Sequence, residues 1–351
     1  MNTTSPIRVL VVDDSKSSRQ LLAHIIESDP TIKIVGFAED GEKALDWLKA
    51  NDADVITMDL FMPKINGFEV SRKIMETKPI PIVIVSSAYN PQDTEQGFKA
   101  LEAGALAFIG KPAGMGDPNY SHRAKEIVDT IKIIAEVKLI KRRTTKRIAS
   151  APPSEHAVTE HRIEAVAIGA SLGGPIALQT ILSSLPKNFP VPIFIVQHIA
   201  HGFTQGFVNW LQTYSTLHIV MGENNMRASP GICYVAPDGF DFQIKERNII
   251  SLSPTCSTFL CPSVGSLFAS MATTYGPRCV GVLLTGMGRD GALELLAMKN
   301  RGAYTIAQDE ESCLMFGMPQ EAIKLGAARM VLPLNDIAAT LNNLVQRNLL
   351  H

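Results

Sequence analysis

Short aliphatic runs alternate with amphipathic stretches from the start of this chain. Val9 to Val12 precede a helical pattern over Ser17 to Glu27, Ile32 to Phe37 precede Gly41 to Ala50, and Val55 to Met58 precede Gly67 to Glu76. Ile80 to Ser86 and Ala107 to Ile109 add two strands, and a helix over Ser121 to Ile140 carries Ile127, Ile131, Ile134 and Val137 at helical spacing. Strand and helix in strict alternation predict a parallel sheet covered on both faces. A basic run from Lys138 to Arg147 and the tract Ala151-Pro152-Pro153-Ser154 interrupt the pattern, as a solvated linker does. The alternation resumes with strands at Ala165 to Ile168, Val191 to Val196, Gly231 to Val235, Val280 to Leu284 and Ala303 to Ala307. A helix starts at Pro175, a hairpin spans Phe240 to Leu252, and a final helix lies near Ile337 to Leu349. The predicted fold class is α/β, with two doubly wound parallel-sheet domains over residues 1–137 and 162–351 and a linker over 138–161.

Composition narrows the partners. A chain of 351 residues exceeds one ordinary core, in keeping with two domains. Its net charge of −1 supplies no field to gather nucleic acid or an anionic membrane surface, so neither is expected to bind through bulk charge. The apolar run after the polar segment Met1 to Pro6 is too short for a signal peptide, and no later run spans a bilayer, so a cytoplasmic location is expected. The five cysteines, all after residue 230, show no metal-ligand spacing and are expected to be reduced, mostly buried thiols.

The first domain places Asp13 and Asp14 at the end of its first strand and Asp59 at the end of its third. Clustered carboxylates at strand ends suit a hard cation such as Mg²⁺, and an aspartate beside such an ion can attack phosphorus. Ser86 and Lys111 end the next two strands, bringing a hydroxyl and an ammonium to the same rim. In this order and spacing, Val11-Val12-Asp13-Asp14-Ser15, Met58-Asp59-Leu60-Phe61-Met62-Pro63, Val85-Ser86-Ser87-Ala88 and Lys111-Pro112 resemble the response-regulator receiver domain. The resemblance implies a flavodoxin-like fold, Asp59 as phosphoacceptor from a sensor histidine kinase, Mg²⁺ at Asp13, Asp14 and Asp59, and Phe108 at the aromatic switch position. Phe61 stands where an acidic residue is common, and Asn66 replaces the usual aspartate before Gly67.

The second domain carries the inventory of a hydrolase triad. Gly169-Ala170-Ser171-Leu172-Gly173 has the Gly-x-Ser-x-Gly form of a strand-to-helix elbow, with Pro175 suited to the first helical turn. A glycine-rich turn of this kind also suits a bound phosphate, and the motif alone leaves both readings open. A dinucleotide is disfavoured, because Ser171 stands where a second glycine admits the pyrophosphate. His198 ends the run Val191 to Val196 and is a candidate base for Ser171, with His201 as a rival. Asp290, in the loop Thr285-Gly286-Met287-Gly288-Arg289-Asp290-Gly291, is a candidate orienter of the histidine. The order Ser…His…Asp differs from that of the α/β-hydrolases.

Ile168-Gly169-Ala170-Ser171, Gln197-His198, Tyr234-Val235-Ala236-Pro237, Pro262-Ser263-Val264, Leu284 to Ala292 and Ala307 to Pro319 together resemble the chemotaxis-type protein-glutamate methylesterases, the CheB family. The resemblance covers nearly the whole chain and includes the receiver–linker–esterase order, with a Rossmann-like α/β catalytic domain. It implies hydrolysis of glutamate γ-methyl esters on methyl-accepting chemoreceptors, with deamidation of glutamines at such sites. By position Ser171 is the nucleophile, His198 the base and then acid, Asp290 its orienter, and the Met287 backbone N–H an oxyanion donor. No cofactor is implied in the esterase site. The implied partners are a chemoreceptor, a CheA-type sensor kinase and, peripherally, the membrane receptor array. The chain departs from the family at Gly265, where an aspartate is usual, at Pro237 to Asp241, which lacks a histidine, and at Ile199-Ala200-His201 after the base. A phosphorylation-activated methylesterase is therefore expected; the alternative is a phosphorylation-dependent receptor-docking protein with little turnover. A DNA-binding output is disfavoured, since no basic recognition helix follows the receiver.

Overall fold

The computed structural model describes residues 5–86, 91–112, 114, 116, 120–137, 161–199, 201–255 and 260–346. Ser87 and Ala88 of the receiver motif, the basic run and Pro-Pro tract of the linker, Ala200, Cys256 and residues 347–349 of the last expected helix lie outside the described residues.

The first sheet is built from β1 (Ile7–Val12), β2 (Ile32–Ala38), β3 (Val55–Met58), β4 (Ile82–Ser86) and β5 (Ala107–Gly110). Between and after them run α1 (Lys16–Ile26), α2 (Gly41–Ala50), α3 (Gly67–Thr77), α4 (Pro91–Glu102) and α5 (Tyr120–Ala135). Five parallel strands in the order β2-β1-β3-β4-β5 reverse direction of growth between β1 and β3, the flavodoxin-like arrangement. That crevice is where Asp13, Asp14 and Asp59 fall. Helix starts follow from local chemistry: the Ser15, Asp40 and Asn66 side chains accept from the N–H groups of Ser18, Lys43 and Glu69. Asn66 therefore serves as an N-cap. Helix α4 was not legible in the hydrophobic pattern, since Pro91 to Glu102 carries Phe98, Ala100 and Leu101 as its large share of apolar contacts near one end.

The second domain contains β6 (Ala165–Ala170), α6 (Gly174–Ser184), β7 (Ile193–Gln197), α7 (Thr204–Tyr214), β8 (His218–Met221), β9 (Ile232–Val235), β10 (Asp241–Lys245) and β11 (Ile249–Ser253). It continues with α8 (Val264–Thr274), β12 (Cys279–Leu283), α9 (Ala292–Asn300), β13 (Tyr304–Gln308), α10 (Met318–Lys324), β14 (Met330–Leu332) and α11 (Leu334–Gln346). Seven parallel strands take the order β14-β13-β12-β6-β7-β9-β8, and β10 and β11 form the antiparallel hairpin. Strands β6, β7, β12 and β13 are buried throughout, as the centre of a sheet covered on both faces requires. The edge strands β8 and β14 escaped the pattern because they are short and partly exposed.

The two domains meet through aromatic side chains of α4, β5 and α7. Phe98 stacks on Trp210 with ring centroids 5.4 Å apart and contacts Phe207 at 5.2 Å, while Phe108 meets Phe203 edge-on at 4.6 Å. Trp210 is fully buried and its indole N–H donates to Glu102. Among the described residues the expectation of reduced thiols fails at Cys261, which is disulfide-bonded, whereas Cys233, Cys279 and Cys313 are free.

Candidate active site

Strand β6 runs straight into the elbow at Ser171, and the switch point of the second sheet lies between β6 and β12. Residues after β6, β7 and β12 therefore converge at one rim: Ser171, His198 and Asp290. The elbow is held from several sides. Ser171 N–H donates to Thr285 O at 3.0 Å, His198 N–H to Ala170 O at 3.0 Å, and Thr285 Oγ1 to Leu172 O at 2.9 Å. The Gln197 amide donates to the carbonyls of both Ser171 and His198, each at 2.8 Å, and so ties the two candidate residues together. A side chain at Gly286 would place its Cβ 2.7 Å from Ser171 Cβ, so only glycine lets the β12 loop lie this close to the serine.

His198 and Asp290 form the pair the sequence suggested, with Nε2 and Oδ2 2.9 Å apart, and His201 stands exposed outside it. The carboxylate accepts, so Nε2 carries the proton and Nδ1 keeps its lone pair for a proton from Ser171. Ser171 Oγ makes no hydrogen bond among the described residues, as is common before substrate tightens such a site. Asp290 accepts three further bonds, from Ser263 Oγ at 2.9 Å, Val264 N–H at 2.7 Å and Gly265 N–H at 3.0 Å. These are the first donors of α8, whose positive end favours an ionised carboxylate. Burial pushes the Asp290 carboxyl up, but the bonds from His198, Val264 and Gly265 outweigh it and hold the group below its usual range. Gly265, the departure from the family pattern, is one of these donors; a Cβ there would lie 3.0 Å from Glu294 Oε2 and 3.1 Å from Asp290 Oδ1.

The Met287 N–H has no partner among the described residues, and its side chain is exposed at the rim. Its neighbours are fixed: Gly286 O accepts from the N–H groups of Gly317 and Met318 at 3.1 and 2.9 Å. Asp238, in the altered stretch after β9, accepts from Gly202 N–H at 2.6 Å and from Thr204 Oγ1, fastening the loop that follows His198. Sequence reasoning did not reach Ser263 or the side chain of Gln197 as supports. The N-cap signal of Ser263 before an apolar run was readable, whereas its bond to Asp290 spans distant elements.

At the receiver rim, ligand oxygens of Asp13, Asp14 and Asp59 lie within 4.8 Å of one another, a set of hard donors that fits a divalent cation such as Mg²⁺. Asp59 Oδ1 accepts from Ser86 Oγ at 2.8 Å, and Lys111 Nζ reaches Asp59 Oδ2 at 2.5 Å and Asp13 Oδ2 at 2.7 Å. Burial pushes the Asp59 carboxyl up against the pull of Lys111. Gly67 is required beside it, since a Cβ there would come within 2.1 Å of Asp59 O. Phe108 lodges between Gly97 of α4 and Phe203, so this receiver side chain is in contact with the second domain.

A CheB methylesterase family model matches residues 166–341, and a response regulator receiver domain model matches residues 9–117. A protein of Nitrosospira multiformis named protein-glutamate methylesterase/protein-glutamine glutaminase is 47% identical over 348 residues, covering 97% of each chain. A namesake of Geobacter metallireducens is 45% identical and covers 96% of this chain and 99% of its own. The crystal structure of the Thermotoga maritima CheB methylesterase catalytic domain is 37% identical with a TM-score of 0.51, over 52% of this chain and 99% of that one. Among the described residues no helix is long and apolar enough to cross a membrane. With matches that run through both sheets and both candidate sites, the chain belongs to the CheB methylesterase family and carries a response regulator receiver domain ahead of the esterase domain.

Proposed function

We propose that this chain is a phosphorylation-activated protein-glutamate methylesterase, with glutamine deamidase activity, acting on methyl-accepting chemoreceptors from the cytoplasm. The observation that carries the reading is the convergence of Ser171, the His198–Asp290 pair and the unpartnered Met287 N–H at the switch point of the second sheet. Ser171 Oγ attacks the side-chain carbonyl of a glutamyl ester while His198 Nδ1 takes its proton. The Met287 N–H stabilises the oxyanion, and methanol, or ammonia from a glutamine, leaves with the proton from His198. Water, deprotonated by His198, then cleaves the acyl-serine bond and releases the glutamate carboxylate. Asp290 keeps the imidazole in one tautomer and stabilises its charged form.

Asp59 is the phosphoacceptor, fed by a CheA-type sensor kinase. Asp13, Asp14 and Asp59 would hold Mg²⁺, which would neutralise charge on the phosphoryl group, and Ser86 and Lys111 are placed to bind its oxygens. Support for coupling comes from Leu172, the neighbour of Ser171, which packs into the apolar cluster of the receiver built on β1 and α5. The receiver thus covers the rim, and phosphorylation biases the domains apart. The test is methanol release from methylated receptor membranes by wild type and Ser171→Ala, each with and without a small phosphoryl donor. Release that depends on Ser171 and rises with donor is expected; the Ser171→Ala loss should reach about 10⁴- to 10⁶-fold. No release by wild type from membranes shown to be methylated would replace the esterase with a receptor-docking protein.

A further inference from the structure

A groove of about 1000 Å³ runs along α8 against the β10–β11 hairpin, and the mechanism makes no use of it. At its start Ser266 Oγ donates to Asp241 Oδ2 at 2.9 Å, and at its far end Thr274 Oγ1 donates to Ile244 O at 2.8 Å. Gly265, Asp290 and Glu294 line the near end, so the groove is continuous with the candidate active site; Lys245 and Glu246 line the other end. The near end therefore presents carboxylates and, among its lining residues, no cation.

Glu294 follows Asp290 by four residues and sits in the first turn of α9. It is half-buried, yet it accepts no hydrogen bond and pairs with no cation among the described residues. The charge of Asp290, by contrast, is met by His198, Ser263 and the N–H groups of Val264 and Gly265. Position 265 brings the two carboxylates together. A Cβ there would lie 3.0 Å from Glu294 Oε2 and 3.1 Å from Asp290 Oδ1, so the two oxygens are no further apart than the sum of those distances. The Glu294 carboxylate thus stands against the space that the usual aspartate side chain at 265 would enter, and α9 supplies the negative charge that α8 lacks. The amino end of α9 favours an acidic residue, but a like charge four residues away opposes it. An unpaired carboxylate kept in that position, facing an open groove, calls for a partner from outside the chain.

Resting on the esterase reading above, we infer that Glu294 is a specificity-determining residue: it receives a cationic side chain of the polypeptide substrate, from within two helical turns of the reacting glutamyl ester. The relatives are named for action on the glutamate or glutamine of a protein. On that reading the substrate is a chain whose neighbouring side chains meet the surface continuous with the triad, and the near end of the groove is part of that surface. A lysine or arginine there gives Glu294 its missing partner, whereas an acidic neighbour meets two carboxylates and is repelled. Glu294 lies behind Asp290 and touches no reacting atom, so it acts on affinity and leaves acyl transfer to the triad.

The experiment uses two synthetic peptides that carry one glutamate γ-methyl ester, flanked on both sides by lysine or by alanine at the third, fourth and seventh positions. That spacing keeps the flanking residues on the ester's face of a helix. Each peptide competes with methylated receptor membranes for full-length wild type, Glu294→Gln, Glu294→Ala and, as a control at the far end of the groove, Glu246→Gln. Methanol release is read with a small phosphoryl donor present throughout, and the labelling rate of Ser171 by a fluorophosphonate reports the state of the fold and triad. The lysine peptide is expected to inhibit wild type and Glu246→Gln about three- to tenfold more tightly than the alanine peptide, the effect of one partly buried charge pair. In Glu294→Gln and Glu294→Ala the two inhibition constants should agree within about twofold, with Ser171 labelling at the wild-type rate. Equal constants in wild type, or no inhibition by either peptide, would overturn the inference and leave the esterase reading standing. A preference for lysine that survives in the Glu294 variants, or that Glu246→Gln removes as well, would overturn it too, because bulk charge would then be the cause. Loss of Ser171 labelling in both Glu294 variants would make the residue a structural one and end the inference. Wild type without Ser171-dependent release would instead remove the esterase reading itself.

Discussion

Asp290 takes more hydrogen bonds than either of its partners: two oxygens receive His198, Ser263 and the N–H groups of Val264 and Gly265. It accepts from the His198 imidazole and from the open end of α8, so its removal is expected to be felt in both activity and stability. Asp290→Asn turns an amide NH₂ toward these donors and should lower kcat about 10⁴-fold, by analogy with other triads. It should also cost about 1.5–3 kcal/mol, the worth of hydrogen bonds to a charged group. The pH dependence follows from the direction of the shift. Burial raises the Asp290 carboxyl, but the donors lower it further, so the folded value lies below the unfolded one of about 3.9. The ionised group therefore stabilises the fold above that pH, and its contribution is lost as pH falls through the lower folded value. Urea midpoints of wild type and Asp290→Asn, measured from neutral pH downwards, should converge below about pH 4; a gap independent of pH would contradict this account. Ser171, His198 and Asp290 were readable as candidates from Gly-x-Ser-x-Gly, Gln-His and the glycine-rich loop. The Ser263 and Gln197 supports were not, because hydrogen bonds between residues far apart in sequence leave no periodic signal.

Helix α4 joins the two domains as an element. Phe98 belongs to the receiver core and also stacks on Trp210 and Phe207, while Gly97 makes room for the Phe108 ring on its way to Phe203. Aromatic contacts of this kind are worth about 0.5–1.5 kcal/mol per pair beyond their buried area. Phe98→Ala removes a fully buried ring from both sides of the boundary and should destabilise the chain by about 3–5 kcal/mol. If this contact holds the closed state, the variant should also release methanol without donor at a rate near the stimulated one; a basal rate equal to wild type would locate the restraint elsewhere. Most helices and all the central strands were visible as alternating patterns. The exceptions are α4, α7, α8, α9, α10, β8 and β14, and their identity as elements comes from the surfaces they pack against.

At the scale of the molecule, two sheets with separate switch points pack together through α4, β5 and α7, with Leu172 against the receiver's apolar cluster. Only two tryptophans are present, and Trp210 is buried at the boundary while Trp47 packs within the receiver. In a Trp47→Phe background, emission from Trp210 should shift to the red when donor is added, as the indole loses Phe98 and Glu102 and gains water. No shift under conditions that phosphorylate Asp59 would mean that activation leaves this contact closed. The sequence by itself determined the α/β class, the order of the strands' functional residues and the chemistry available to them. Strand periodicity, caps and glycine-rich loops are local, and residue types constrain reactivity wherever they land. Tertiary structure alone decided which imidazole meets Asp290, that α8 clamps the carboxylate, and that Leu172, next to Ser171, packs against the receiver's apolar cluster. Those relations join segments from distant parts of the chain, and only closure of the two cores against one another fixes their distance.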